Sequence, residues 1–303
     1  MIYVKIQGGL GNQLYQMFFG YELSRILKRE VQFDFTRLTD GWENLDEEQK
    51  HRTLALTLYG SLGEKFKTFS HNGWEKENPF HFFIEPRVVD TDNYTYFWEN
   101  INSKIEELKT VDKNKIIYVD GHWQSYSYSR KQIDYFTKYL NKVEAADSQI
   151  KFAIENTHVS CCINVRRGDY ITHHNGFFHE CTMENFYNKA MQDLNSRLGN
   201  VEYFIFTDQL DWCQENFTGP NMTVVDHTYS GQKFTDYLDL MRSCQHFIIP
   251  NSTFAIWAAI THRKENPIVY APSKWYGSDT KVPNPLTHSI NNEITSQWKI
   301  IES

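Results

Sequence analysis

Cysteine is scarce: five in 303 residues, an odd number, with Cys161 and Cys162 adjacent and no Cys-x-x-Cys spacing anywhere. That excludes a disulfide framework and removes the usual zinc and redox signatures, so the thiols are expected to be reduced. Long hydrophobic runs are missing too, and without about twenty consecutive apolar residues no transmembrane anchor is expected. Excess positive charge is absent, the formal net charge being −7. Broad nucleic-acid binding needs a basic face that this balance does not supply. Gly-x-Ser-x-Gly, His-Glu-x-x-His and the P-loop lysine are all absent, which takes the usual support from hydrolase and P-loop NTPase readings. No internal repeat or low-complexity segment occurs. The opening residues Met1-Ile2-Tyr3-Val4-Lys5-Ile6 read as a strand and lack the basic-then-apolar layout of a signal peptide. A cytoplasmic location is therefore expected, in which the sequons at Asn93, Asn216, Asn221 and Asn251 carry no weight.

What is present is globular: 40% hydrophobic and 16% aromatic residues. The length suits two domains of ordinary size. The first half begins with a strand at 2 to 6, a Gly-rich turn, and a helix whose Leu14, Met17, Phe18 and Tyr21 fall on one face. A strand at 31 to 35 follows. Residues 36 to 98 read as irregular and aromatic, with Phe80, Phe82, Phe83, Tyr94, Tyr96, Phe97 and Trp98 crowded near the end. Such rings suit either a sugar-binding cleft or core packing, and packing is the commoner use. A strand at 115 to 119 leads to a helix near 129 to 143. The polar passage at 144 to 158 is the expected junction, giving domains 1–152 and 153–303. Beyond it, apolar strands at 159–165, 201–206, 222–225, 246–249 and 267–271 alternate with helical stretches near 182–197, 209–217, 232–243 and 253–261. That alternation predicts a parallel, Rossmann-like sheet.

Several segments carry chemistry. Gly8-Gly9-Leu10-Gly11-Asn12-Gln13 lies between the first strand and first helix, where backbone approaches a ligand and helix N–H groups point outward. A dinucleotide fingerprint needs a third small residue where Leu14 stands, although Asp34 is at the usual distance for a ribose acid. A tight structural turn explains the same glycines. Arg166-Arg167-Gly168-Asp169-Tyr170 follows the apolar run 159–165, delivering two guanidiniums to a strand end where ligands of α/β sheets collect. Paired surface arginines are otherwise simply solvated. Asn251-Ser252-Thr253-Phe254 follows the strand 246–249 and opens a short apolar helix, so its hydroxyls either cap that helix or help hold a phosphate. Asp208 ends another strand and suits a nucleoside acceptor or a helix N-cap. Asp90-Thr91-Asp92 looks like the metal-holding pair of many glycosyltransferases, but hard cations need several convergent oxygens that the flanking sequence does not supply. His173, His174 and His179 lack a metal spacing.

Taken in order, the Gly8–Gln13 loop with Gln16, Gly121-His122-Trp123-Gln124-Ser125, Val165–Tyr170, Phe206-Thr207-Asp208, and Asp239-Leu240-Met241 through Asn251–Phe254 to Trp257 resemble the bacterial α1,2-fucosyltransferases of glycosyltransferase family eleven. The resemblance covers nearly the whole chain. It implies an α/β, GT-B-like fold, two Rossmann-like domains facing a central cleft, the C-terminal one binding GDP-fucose. It implies inversion at carbon without a metal or other cofactor, and a partner that is a galactose-terminated oligosaccharide or lipid-linked glycan. A lipid-linked acceptor would bring the protein to the inner face of the membrane. Arg166 takes the donor diphosphate, and Ser252, Thr253 and Phe254 the nucleotide, with Gly9, Gly11, Asn12, Gln13, Asn164, Arg167, Asp208 and Asn251 as further donor contacts. Asn164 stands where the family usually has His, which keeps hydrogen bonding but loses the option of positive charge. Asp169, ahead of His179, is the proton acceptor, and Trp123 and Gln124 are acceptor-sugar contacts, a stacking face and an amide. Three other readings stay open: another linkage, an NAD-dependent oxidoreductase resting on the Gly loop with Asp34, and a non-catalytic carbohydrate-binding protein.

Overall fold

The computed structural model describes residues 1–39, 80–87, 89–140, 148–172, 180–226, 235–277 and 297–303. The chain separates into two compact units, Met1–Lys138 and Tyr139–Ser303. The division lies inside a helix, ahead of the polar passage at 144 to 158. Part of that passage is itself helical, Ser148–Asn156.

The first unit carries β1 (Ile2–Lys5), α1 (Leu10–Leu27), β2 (Val31–Asp34), a single turn α2 (Thr36–Thr39), β3 (Phe80–Ile84), α3 (Thr91–Glu99), α4 (Ile101–Leu108), β4 (Ile116–Asp120) and α5 (Tyr126–Leu140). Its strands are parallel in the order β2-β1-β4-β3. The helix at 10–27 is buried on more than the one face that its period assigns. Phe18 meets Phe136 of α5 edge-on, while Phe19 stacks on Trp123 at 4.1 Å between ring centroids. Both flanks are covered because α1 packs against the sheet and against the turn and helix after β4. The stretch that reads as irregular holds β3 and α3. In α3 the rings of Tyr94, Phe97 and Trp98, at i, i+3 and i+4, are buried, so most of the aromatic crowd is core. β3 hides its alternation because it is an edge strand: Phe83 points into the core while Phe82 and Ile84 remain exposed.

The second unit carries α6 (Ser148–Asn156), β5 (Ser160–Val165), α7 (Gly168–Thr172), a π-helical turn (Met183–Tyr187) running into α8 (Asn188–Leu198), β6 (Glu202–Thr207), α9 (Leu210–Asn216), β7 (Met222–Val225), α10 (Thr235–Ser243), β8 (His246–Ile248), α11 (Thr253–Ile260), β9 (Val269–Pro272) and β10 (Lys299–Ile301). All six strands are parallel, in the order β10-β9-β8-β5-β6-β7. Every residue of β5 is buried, as a central parallel strand covered on both faces requires. Counted from β5, the order is that of a doubly wound dinucleotide-type sheet, with its direction reversing between β5 and β8. Two parallel α/β sheets thus match the pair of Rossmann-like sheets expected. Among the described residues, no helix is long and apolar enough to cross a membrane.

Candidate functional site

The reversal point fixes where the second unit can bind a ligand: in the crevice beyond the carboxyl ends of β5 and β8. Arg166 and Arg167 leave β5 there, Asn251 and Ser252 follow β8, and Asp208 follows the neighbouring β6. The Asp208 carboxylate grips the turn after β5. Its Oδ1 accepts from the Arg167 amide at 3.0 Å. Its Oδ2 accepts from the Gly168 amide at 3.2 Å and pairs with Arg166 Nη1 at 2.5 Å. Glycine at 168 lets the clamp close, since a Cβ there would sit 2.8 Å from Asp208 Oδ2 and push the carboxylate away. Asp208 is therefore a clamp that holds the β5 turn and Arg166, with its side chain still 24% exposed at the rim.

The Arg166 guanidinium lies 5.7 Å from the Tyr170 ring centroid. Tyr170 in turn donates its hydroxyl to the Asn251 carbonyl at 2.6 Å, tying the β5 turn to the β8 turn. Asn251 is nearly fully buried and donates Nδ2 to the Trp275 carbonyl at 2.5 Å, which ties the turn after β8 to the chain that follows β9. Ser252 is the N-cap of α11, in extended conformation, and its hydroxyl makes no capping bond. The start of α11 lies at this rim, with half-buried Thr253 and Phe254 in its first turn. A cation and a helix N-terminus on one rim form an anion site.

Two other expected donor contacts are committed elsewhere. Arg167 stacks its guanidinium 3.9 Å above Trp212 and forms an ion pair with Glu180. It braces the turn from behind. Asn164 is 7% exposed, with Nδ2 donating to the Phe206 carbonyl at 3.1 Å and its own carbonyl accepting from Tyr187 at 3.0 Å. It stitches β5 to its neighbours. The Asp169 side chain and the whole segment 173–179, with His173, His174 and His179, lie outside the described residues. Asp239 belongs to the core as well. Its carboxylate meets Arg263, Arg242 Nη1 at 3.6 Å and Lys151 Nζ at 3.5 Å, joining α6, α10 and the turn after α11.

In the first unit the sheet order reverses between β1 and β4, and the two glycine-bearing turns lie there. Gln13 Nε2 donates to the Gly8 carbonyl at 2.7 Å, and Gln16 Oε1 accepts from the Gln7 amide at 2.9 Å while its Nε2 donates to the Gly121 carbonyl at 3.0 Å. Both glutamines are fully buried. They build the turns, so Gln13 is a scaffold residue in place of a donor contact. Asn12 and Gln124 stay partly exposed on the rim, joined by a 3.0 Å bond from Gln124 Nε2 to Asn12 Oδ1. Gly9 and Gly11 flank the start of α1, where Gly9 is an N-cap without a side-chain bond. Trp123 offers no stacking face. It is fully buried, stacked on Phe19 and on Phe83 at 5.2 Å, with φ at +54°. Asp34 is 1% exposed, accepting from the Tyr118 hydroxyl at 2.6 Å and the Thr36 amide at 2.9 Å, which leaves the ribose-acid reading without support.

One residue that sequence reasoning missed stands behind these turns. Glu85, just past β3, is 8% exposed; burial, against three opposing hydrogen bonds, pushes its carboxyl up to about 7. Recognising β3 as a strand would have placed it on the rim. Asp90 and Asp92 are exposed, Asp90 accepting from Asn93 at 3.0 Å. Among the described residues no three His, Cys, Asp or Glu side chains are grouped to hold a metal ion.

Comparison with known proteins bears on this geometry. Residues 1–290 match the model for glycosyl transferase family 11. The O-antigen biosynthesis glycosyltransferase WbnK of Escherichia coli is 32% identical, covering 96% of this chain and 100% of that protein. An alpha-1,2-colitosyltransferase of Escherichia coli is 23% identical over 91% of this chain and 92% of its own length. The galactoside 2-alpha-L-fucosyltransferase SEC1 of Bos taurus is 26% identical over 54% of this chain and 47% of its own.

Proposed function

The chain belongs to glycosyl transferase family 11, and from that premise we propose that it moves L-fucose from GDP-β-L-fucose to the 2-hydroxyl of a terminal β-galactose, with inversion and without a metal. The observation that carries this reading is the Arg166–Asp208 clamp beside the start of α11, which has no side-chain cap. A cation and a helix N-terminus at the reversal point of a doubly wound sheet suit the diphosphate of a nucleotide-sugar.

The chemistry follows from where charge develops. As the fucosyl carbon–oxygen bond breaks, negative charge grows on the leaving diphosphate and positive charge on the sugar ring. A cation already aimed by Asp208 stabilises that state more than the ground state, and needs no reorganisation at the moment of reaction. The attacking hydroxyl must also lose a proton. Asp169 and then His179 are the proposed acceptors of that proton, and Gln124 is the proposed contact to the acceptor sugar. A single displacement at the β-linked carbon yields an α-fucoside.

The alternative with a specific observation behind it is a different donor sugar, since one relative of nearly equal length is named a colitosyltransferase. Incubation of the protein with GDP-fucose and a panel of β-galactosides, followed by NMR of the product, tests the proposal. An anomeric coupling for α-fucose with a correlation to galactose C2 is the expected outcome. An α-fucoside at O3 or O6 defeats the linkage, a β-fucoside defeats single displacement, and transfer only from activated colitose replaces the donor.

A further inference from the structure

Glu85 sits where three donors converge on one buried carboxylate. Its Oε2 accepts the backbone amides of His122, at 2.6 Å, and Trp123, at 3.0 Å; its Oε1 accepts the indole N–H of Trp98 at 3.0 Å. The turn so held is an unfavourable one, because Trp123 is a bulky residue in the left-handed region. Gly121 presses directly against the acid: a Cβ there would lie 2.5 Å from the Glu85 Cβ. The next residue, Gln124, is the one that reaches Asn12 on the neighbouring turn.

We propose that Glu85 is a positioning residue for the acceptor side of the transfer reaction. By receiving the His122 and Trp123 amides, its ionised carboxylate fixes the β4–α5 turn and so presents Gln124 beside Asn12. The effect on acceptor binding rests on the fucosyl-transfer reading; the anchoring of the turn does not. An ionised acid suits all three donors best, since protonation weakens one oxygen as an acceptor and adds an O–H for which the three N–H groups offer no acceptor. Asp120, paired with Lys5 at 2.9 Å, and His122, whose imidazole is held below its ordinary value by burial, are the other titratable groups at this corner, and Asp120 opposes the ionisation of Glu85. Burial raises the acid to about 7, so the anchoring form gives way to the protonated one just below neutrality.

Donor counting supplies the test. In Glu85→Gln one oxygen remains, so the new amide N–H₂ must face either the indole or the two backbone amides. Trp98 is 2% exposed and has no room to turn aside. Trp98→Phe removes the indole donor, letting the glutamine face its oxygen to the turn. We expect Glu85→Gln to raise the acceptor KM about tenfold or more, the loss of a hydrogen bond to a charged group, and to speed hydrogen exchange at the His122 and Trp123 amides. The dissociation constant for GDP is expected to stay unchanged. Trp98→Phe alone leaves exchange at the two amides slow, and Glu85→Gln/Trp98→Phe restores both KM and protection. Unchanged protection in Glu85→Gln, or a double variant no better than the single one, overturns the proposal. If Glu85→Gln does not fold, Glu85→Asp decides: a carboxylate one methylene shorter cannot hold both the indole of Trp98 and the two amides of the turn, so exchange at the His122 and Trp123 amides must speed, and unchanged protection refutes the proposal. Should the wild-type protein transfer no fucose at all, the exchange measurements still decide the role of Glu85, and the functional reading alone falls.

Discussion

Replacing Gly168 by alanine adds one methyl group, aimed at the atom that holds Arg166. The new carbon would sit 2.8 Å from Asp208 Oδ2 and 3.4 Å from its Cγ. Ordinary carbon–oxygen contact lies near 3.4 Å, so the carboxylate must retreat by roughly half an ångström. Two bonds share that oxygen. The one from the Gly168 amide is already 3.2 Å long and breaks first; the Arg166 pair at 2.5 Å then lengthens or swings. Alanine returns roughly 0.5–1 kcal/mol to helix α7 through its better propensity. A lost hydrogen bond to a charged group costs about 1.5–3 kcal/mol, so the net destabilisation is about 0.5–2.5 kcal/mol. The effect on rate is larger than the effect on the fold, because displacing a catalytic group by about 1 Å can cost about a hundredfold. We expect Gly168→Ala to lower kcat for fucosyl transfer about ten- to a hundredfold at saturating GDP-fucose, while the urea midpoint falls only by the amount that this destabilisation accounts for. Near-normal kcat in Gly168→Ala, alongside an inactive Arg166→Ala, would show that Asp208 does not aim the arginine.

The same geometry fixes further outcomes. Arg166→Ala should lower turnover by about a hundredfold to a thousandfold, the usual cost of removing a donor aimed at developing charge; Arg166→Lys should recover only part of it, read from single-turnover rates, because a point charge cannot reproduce a fork. Transfer should persist in excess EDTA; abolition by chelator with rescue by manganese would return Asp90 and Asp92 to the metal role. The ionisation of Glu85 has a definite sign. Because its folded-state value is raised from 4.5 to about 7, its contribution to stability is fully present below pH 4.5 and is lost as pH rises through 7. The full shift corresponds to about 3 kcal/mol. Urea midpoints at pH 5 and pH 8 should therefore fall further for wild type than for Glu85→Gln, and equal differences would refute the assignment.

The strands of the second unit were legible because a central parallel strand, buried on both faces, reads as a plain apolar run, and Val159 to Val165 is one. Its exit residues were legible for the same reason: a chain that leaves a buried parallel strand is delivered to the rim where ligands of α/β sheets collect. The role of Asp208 was not, since a carboxylate at a strand end looks alike whether it faces a ligand or the amides of Arg167 and Gly168 some forty residues back in the chain. Trp123 was misread for a related reason. A tryptophan between His and Gln looks solvent-facing, and only tertiary structure supplies Phe19 and Phe83 on its two sides. Glu85 stayed hidden because edge strand β3 leaves Phe82 and Ile84 exposed, which erases the alternation that would have marked a strand and its rim.

The Arg166–Asp208 clamp exists only when β5 and β6 pair in register, with Val165 opposite Thr207. A slip of one residue would turn Asp208 to the other side of the sheet. Nucleotide that binds the aimed arginine therefore binds the correctly paired sheet and none of its misregistered competitors, and by mass action it raises the population of that pairing.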